Sequence, residues 1–558
     1  MPKLDTVPHE ILERIAFISA TESLLGPPST LATLLGANRH IYACLSFASN
    51  HYLYARIFSS KFDVGPSSRR FIDHSSPTIL AHELIHRFRV LNRIRARIDS
   101  GARPGSAGDG DSVHELLFHA YLMMLENAGK NEQQLRDYAK MGEWLRDYLF
   151  EEHFSARPRL TTHVEHWPPH NEHTSLAMWL FWFLLRPDDY TMDDDSTWNV
   201  LNVLKIYALG AHKYPLTDPS WVNFLPESPQ PSTHIVHYSE AHQLKTPPLA
   251  TPAILSFLTL VNLKAKLIDL SQSHLDIPLK AESNEWEYEL GRCLSLSRPE
   301  FDNGLTESFR PGSVEGTWEG IFTYTEFTAY AALLQGAPPP ILQKSVIVRH
   351  RQTWKLREHH FVVSTRSVPV DAAAVDSHGH PLSAGDPLRA YFPTGTHIIE
   401  TRDGLEVRDP NRPTELRYYR STMGSNVSST NDKHNGNGQT QVQDIIITGE
   451  GHSAWGQFNL VGRVRPCDGF ISLCKEYVRA SLRFPLHNSL PSHSKHFLDT
   501  YSFASFSTNQ VDHDRGKWIY RGYLVGNING NLAGRWRDTL SPAAVPGYEG
   551  CFLMTRRR

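Results

Sequence analysis

Along the first sixty positions, apolar residues recur at helical spacing. Ile11, Leu12 and Ile15 fall at i, i+1 and i+4 behind Asp5 and Pro8, a capping residue and a helix-opening proline. Gly26-Pro27-Pro28 breaks the pattern. A second stretch carries Leu31, Leu34 and Leu35, and a third carries Ile41, Tyr42, Leu45, Leu53, Tyr54, Ile57 and Phe58. Three short amphipathic helices bury little surface alone, so a partner or a docked neighbour is expected. Over 78–270 the pattern stays helical, with stretches at 79–98, 113–128, 132–150, 174–185, 197–209 and 254–270. A Gly/Pro/Ser/Asp-rich gap at 101–112 and a Pro-rich loop over 215–252 interrupt it. No repeat of 20–50 residues runs through it.

Near residue 312 the period changes to two. Strands are predicted at 317–324, 328–334, 344–350, 354–363, 395–401, 405–407, 416–419, 444–449, 455–465, 470–477, 517–525, 531–538 and 550–554. Turn dipeptides Asp403-Gly404, Asp468-Gly469 and Asn529-Gly530 join several of them. So many short antiparallel strands favour a barrel or a sandwich, either of which shields sheet edges. Trp518, Tyr520, Gly522 and Leu524 share one face, and Ile519, Arg521, Tyr523 and Val525 share the other. Both faces carry apolar residues, which suits a barrel wall whose outside packs on the helical middle, with 550–554 closing onto the first strand. Glycines 316, 320, 456, 462, 522 and 534 are expected to allow the bends of closure. The polar stretch near 424–440 reads as a disordered insertion. The fold class is α+β: N-terminal helices, a helical middle and a C-terminal antiparallel β-barrel over 312–556.

Composition narrows the classes. Of 558 residues, 40% are hydrophobic and 21% charged, which is too apolar for a disordered chain. A formal net charge of −3 excludes a globally basic nucleic-acid coat. Five scattered cysteines without a CxxC fit a reducing compartment, and the N-terminus lacks the apolar core of a secretory signal. The longest apolar run, 176–185, is about half a bilayer span and reads as a buried helix. The expectation is a soluble cytoplasmic or nuclear protein with no nucleic-acid or membrane partner.

Catalytic motifs are sparse. His82-Glu83-Leu84-Ile85-His86 matches the zinc-peptidase pattern, in which two histidines one helical turn apart grip the metal and the glutamate polarises water. No third ligand follows at zincin spacing, and the next residues bring arginines, so a structural helix with Leu84, Phe88, Leu91 and Ile94 on its apolar stripe is the reading adopted. His114 and His119 stand at i, i+5, on different faces. Cys467 and Cys474 read as ordinary thiols, and Arg556-Arg557-Arg558 as a solvated tail. There is no P-loop, no GxSxG elbow and no GxGxxG after a strand. No catalytic residue, metal or cofactor is assigned.

The opening segment resembles an F-box over residues 1–62. The matching elements are Leu4, Pro8, Glu10-Ile11-Leu12, Ile15, Leu31, Leu34, Asn38-Arg39, Ile41-Tyr42, Leu45 and Leu53-Tyr54-x-x-Ile57-Phe58. Val7 stands where that family has leucine, and Gly26-Pro27-Pro28 lengthens the first connection. GTWEGIFTYTEF at 316–327, ITGEG at 447–451, WIYRGYLVG at 518–526 and GYEGCFLM at 547–554 resemble the C-terminal half of fungal F-box proteins. That half is similar in style to the barrel of the human F-box protein that recognises cyclin D. That barrel carries a Cys/His zinc site, whose ligands do not map onto this chain.

The resemblance implies a substrate receptor of an SCF-type ubiquitin ligase. Leu4, Pro8, Ile11, Leu12, Ile15, Leu31, Leu34, Ile41 and Leu45 would meet a Skp-type adaptor, which bridges to a cullin. The barrel would hold the target protein. Candidate target-binding residues are Trp318, Tyr324, Arg463, Arg465, Tyr520, Arg521, Arg535, Trp536 and Arg537, since arginine forks onto carboxylates and tryptophan offers a flat apolar wall. The competing assignment for these residues is architectural, with Trp318 and Trp536 plugging the barrel and the arginines paired with acids at its ends. Two other functions stand beside the receptor: a lipocalin-like small-ligand barrel, and a HExxH metallopeptidase.

Overall fold

The computed structural model describes residues 7–70, 76–101, 110–150, 171–190, 195–210, 223–225, 232–268, 287–297, 308–337, 341–342, 347–364, 381–421, 440–478, 512, 515–526 and 530–557. Leu4 lies outside the described residues, as does the insertion expected near 424–440 up to Thr440.

Four helices open the chain: α1 (His9–Thr21), α2 (Ser29–Leu35), α3 (Arg39–Leu45) and α4 (His51–Lys61). Asparagines set two of the starts. Asn38 Oδ1 accepts from the Ile41 N–H and Asn50 Oδ1 from the Leu53 N–H, satisfying amides that the first helical turn leaves open. Leu12, Ala16 and Ala20 of α1 turn inward, onto a core shared with Leu31, Ile41, Leu45, Leu53, Ile57 and Phe58.

The helical middle contains α5 (Gly65–Arg70), α6 (Pro77–Ala96), α7 (Gly110–Leu125), α8 (Lys130–Gln133), α9 (Met141–Phe150), α10 (Glu172–Leu184), α11 (Asp195–Leu209), α12 (Ala250–Ile268) and α13 (Glu287–Ser297). Helix α10 is buried from Thr174 to Leu184, as an element apolar on every side must be. Between α11 and α12 lies a hairpin, β1 (Thr233–His237) and β2 (Glu240–Leu244), where the sequence reading has only a Pro-rich loop. Helix α13 is likewise unforeseen. Among the described residues no helix is long and apolar enough to cross a membrane.

Eight antiparallel strands then close a barrel. They are β3 (Gly316–Thr325), β4 (Ile347–Ser364), β8 (Thr440–Ser453), β9 (Gly456–Arg465), β10 (Phe470–Tyr477), β11 (Lys517–Val525), β12 (Asn531–Asp538) and β13 (Glu549–Arg556). The ring runs β3–β13–β12–β11–β10–β9–β8–β4 and returns to β3. The expected closure between the first and last strands is present, with Phe552 opposite Phe322 and Met554 opposite Gly320. Strand β4 is one 18-residue element where two were predicted. Its first half pairs with β3. Beyond Leu356 that edge passes to β7 (Leu416–Arg420), and β6 (Gly404–Arg408) and β5 (His397–Glu400) extend the sheet.

Two further expectations are corrected. Residues 328–334 belong to a helix, α14 (Phe327–Leu334), whose Tyr330 and Leu333 are buried three positions apart. Its alanines and leucine favour a helix, and the run lacks the alternation a half-buried strand needs. Arg556 is no solvated tail residue. It ends β13, donates to the Glu315 and Ser313 carbonyls, and lies over the Trp318 ring.

The barrel wall is apolar on both sides. Inside are Trp318, Phe322, Trp354, Tyr520, Trp536, Phe552 and Met554. Outside, Tyr523, Val525, Ala533, Cys551 and Leu553 join the core of the helices, while Ile446, Val461, Cys474 and Ile519 are covered by the β5–β7 extension. The faces read on β11 therefore sort as expected, with its outer face shared between helices and extension.

Candidate docking surface and candidate site residues

Helix α1 presents two apolar faces, and its own chain covers one. Leu12, Ala16 and Ala20 point into the core. Ile11, Ile15 and Ile18, spaced i, i+4 and i+7, form a stripe exposed to 47%, 40% and 59%. Pro8, at the start of the helix, is exposed beside them in sequence. The helix is held in this orientation by Glu13, which pairs with Arg56 of α4 at 3.2 Å, and by the Arg56 guanidinium over the Phe17 ring at 4.2 Å. The expected adaptor-binding set is thus divided. Pro8, Ile11 and Ile15 face outward and Leu34 is half-buried, whereas Leu12, Leu31, Ile41 and Leu45 are spent in the chain's own core and have no surface for a partner. Ile18 was missed, although its i+7 spacing from Ile11 is visible in the sequence.

The barrel candidates take architectural places. Trp318 and Trp536 lie inside, donating their indole N–H groups to the Val314 and Thr323 carbonyls at 2.9 Å. Tyr520 is also inside, edge-on to Trp354 and Phe552 at centroid separations of 5.4 and 5.1 Å. The arginines point outward but are buried where the wall meets its covering. Arg463 pairs with Asp444 at 3.0 Å, donates to the Tyr391 carbonyl and stacks on Phe224. Arg465 pairs with Asp468 at 2.6 Å and donates to the Asn223 carbonyl. Arg521 pairs with Glu549 at 2.9 Å. Arg535 donates to the Tyr207 carbonyl of α11, and Arg537 to the carbonyls of Ser541, Pro542 and Val545. A target's carboxylate would have to displace these internal partners, so the open face expected for them is not there. Of the candidates, Tyr324 alone is partly open. It stacks on His350 at 5.6 Å, next to the half-exposed Trp455 at one end of the barrel.

The packed interior bears on the small-ligand alternative. Trp354, Tyr520 and Phe552 are in mutual ring contact at mid-barrel, where a lipocalin-like protein keeps its cavity. One cation sits among the rings. The Lys475 Nζ lies 3.9 Å from the Phe458 centroid and 4.8 Å from that of Tyr477. Burial brings its ammonium down to about 7.

The HELIH segment lies on α6 as a packing helix, with Leu84, Phe88, Leu91 and Ile94 buried. Its glutamate is committed. Glu83 pairs with Arg87 at 2.9 Å, and Arg87 reaches Glu126, just past the end of α7, at 2.7 Å and the Tyr238 hydroxyl at 2.8 Å. His237 Nε2 lies 2.6 Å from Glu126 Oε1. This buried network pins α6, α7 and the β1–β2 hairpin together, and a glutamate held within it is not placed to polarise water. His82 faces outward, with Nδ1 on the Thr78 carbonyl and its ring against Phe47. His86 meets α7 instead, its ring 4.1 Å from that of His119. The sequence treats 82–86 and 114–119 separately. Only the packing of α6 on α7 joins them. No family model, no characterised protein and no solved structure matches this chain.

Proposed function

We propose that the chain is a non-catalytic substrate receptor of an SCF-type ubiquitin ligase. Its N-terminal helices act as an F-box on a Skp-type adaptor bound to a cullin, and its barrel carries the target protein. The observation that carries this reading is the Ile11/Ile15/Ile18 stripe. Three large aliphatic side chains stand exposed on a helix whose opposite face is anchored, which is the form of a preorganised apolar contact. The other F-box positions hold that helix in place from behind. Ubiquitin transfer then follows from proximity, since a receptor needs only to hold a target within reach of a recruited conjugating enzyme. With the arginines committed internally, the target face we assign is the aromatic end formed by Tyr324, His350 and Trp455.

The test is co-purification with a Skp-type adaptor. Ile15→Asp and Ile18→Asp place a charge on an exposed face, so each variant should melt like the wild type yet lose the adaptor. Leu12→Asp should instead fail to fold, because that side chain is internal. A folded Ile15→Asp/Ile18→Asp double variant that retains the adaptor refutes the assignment.

A further inference from the structure

We propose that His86 of α6 and Glu115 and His119 of α7 form a binding site for one divalent late transition-metal ion, of which Zn2+ is the representative. One ligand atom from each of the three lies within 4.8 Å of the other two, and Glu115 Oε1 is 3.7 Å from His119 Nε2. Tetrahedral zinc with bonds near 2.0–2.1 Å needs ligand atoms roughly 3.3 Å apart, a distance that small side-chain rotations reach.

Three observations point to a ligand. The Nε2 atoms of both His86 and His119 are buried without a hydrogen-bond partner, and His119 is only 4% exposed. A buried ring nitrogen left unsatisfied costs about 1–3 kcal/mol, and a cation bound to both lone pairs removes that cost. Glu115 and His119 are one helical turn apart on α7, so they face α6 together. The donor set of two imidazoles and one carboxylate suits Zn2+ and its neighbours better than Mg2+ or Ca2+, which prefer oxygen alone.

Two of the arginines that follow His86 have carboxylate partners that offset their charge. Arg87 is neutralised by Glu83 and Glu126, and Arg93 pairs with Asp99 at 2.5 Å. Glu115 is exposed, which leaves a fourth position open to water. The site uses one residue of the HELIH segment and neither His82 nor Glu83, so its geometry is a clip between two helices and not a peptidase centre.

The experiment uses full-length, untagged protein stripped with a chelator and titrated with Zn2+ by calorimetry, then loaded with Co2+ for its visible spectrum. The expected result is one equivalent bound, intense tetrahedral Co2+ bands and a raised melting temperature. His86→Gln should weaken binding at least 100-fold and Glu115→Gln at least 10-fold, with His82→Ala unchanged. Glu115 is solvent-facing, so Glu115→Gln remains a fair test if the His86 variant does not fold. Absence of stoichiometric binding, full affinity in a folded Glu115→Gln variant, or loss of binding in His82→Ala would each overturn the proposal.

Discussion

Lys475 shows how one residue's position sets its chemistry. It alternates with Ile471, Leu473 and Tyr477 on β10 and so projects into the barrel, where aromatic rings surround it and no carboxylate pairs with it among the described residues. Contact with ring faces recovers part of the lost hydration, but not enough to keep the amine at its ordinary pKa. Its folded value near 7 lies below the unfolded value near 10.5, so holding the charge costs stability in full below pH 7, and the cost fades as pH rises toward 10.5. Lys475→Met should therefore stabilise the protein by about 1–4 kcal/mol at pH 6 and by much less at pH 10, read by denaturant melts at both values. The opposite sign holds at Glu126. Burial raises its carboxyl, but His237 and Arg87 outweigh that and hold it near 2 against an unfolded value near 4.5. Its contribution is complete above about pH 4.5 and is lost as pH falls toward 2. Glu126→Gln should cost about 1.5–3 kcal/mol at pH 7, since it removes one of the two carboxylates that hold buried Arg87 and the charged partner of His237, and should flatten the acid limb of the stability curve.

Among the strands, glycine decides where aromatic rings fit. Gly522 and Gly534 are cross-strand partners, and a Cβ at Gly534 would stand 2.0 Å from the Arg521 carbonyl oxygen and 2.6 Å from the Gly522 Cα. A Cβ at Gly550 would stand 2.6 Å from the Trp536 ring. These glycines admit close backbone approach and bulky rings, a more specific role than the bending expected of Gly522 and Gly534. Gly534→Val is expected to cost about 3 kcal/mol or more, seen as loss of soluble yield or a large drop in melting temperature, whereas a valine at the exposed Gly142, with no atom within 4 Å, should cost about 1 kcal/mol or less. Helix α1 illustrates the complementary case, in which sequence periodicity identifies an apolar helix but not which of its two apolar faces the chain keeps for itself.

At the scale of the molecule, barrel and helices share one core. Apolar residues of β3, β11, β12 and β13 belong to the same cluster as α10, α11 and α12. Arg535 reaches α11, and Arg292 of α13 donates to the Asp468 carbonyl at 2.8 Å. Residues 312–558 expressed alone should therefore be insoluble, and the full chain should melt in a single calorimetric transition. Two separate transitions would contradict the shared core. Ending the chain before Gly550 removes β13 and leaves β3 and β12 as raw edges, so the truncated protein should aggregate on size exclusion.

What the sequence determined by itself was whatever depends on local period: the helical first half, the wholly buried α10, the change to strands near 312, the two apolar faces of β11, and closure between the strands at 316 and 550. These follow because 3.6- and 2-residue repeats and turn dipeptides act over a few residues, and because the first and last strands of a β region are natural closing partners. Tertiary structure alone decided the rest. It assigned 328–334 to a helix docked through Tyr330, gave 233–244 a hairpin through His237 and Tyr238, and gave the outward arginines of β9, β11 and β12 internal carboxylate or carbonyl partners. It left Ile11, Ile15 and Ile18 uncovered and set His86 against His119. Each of these outcomes depends on residues tens to hundreds of positions away, and burial and pairing are properties of that encounter which no local pattern encodes.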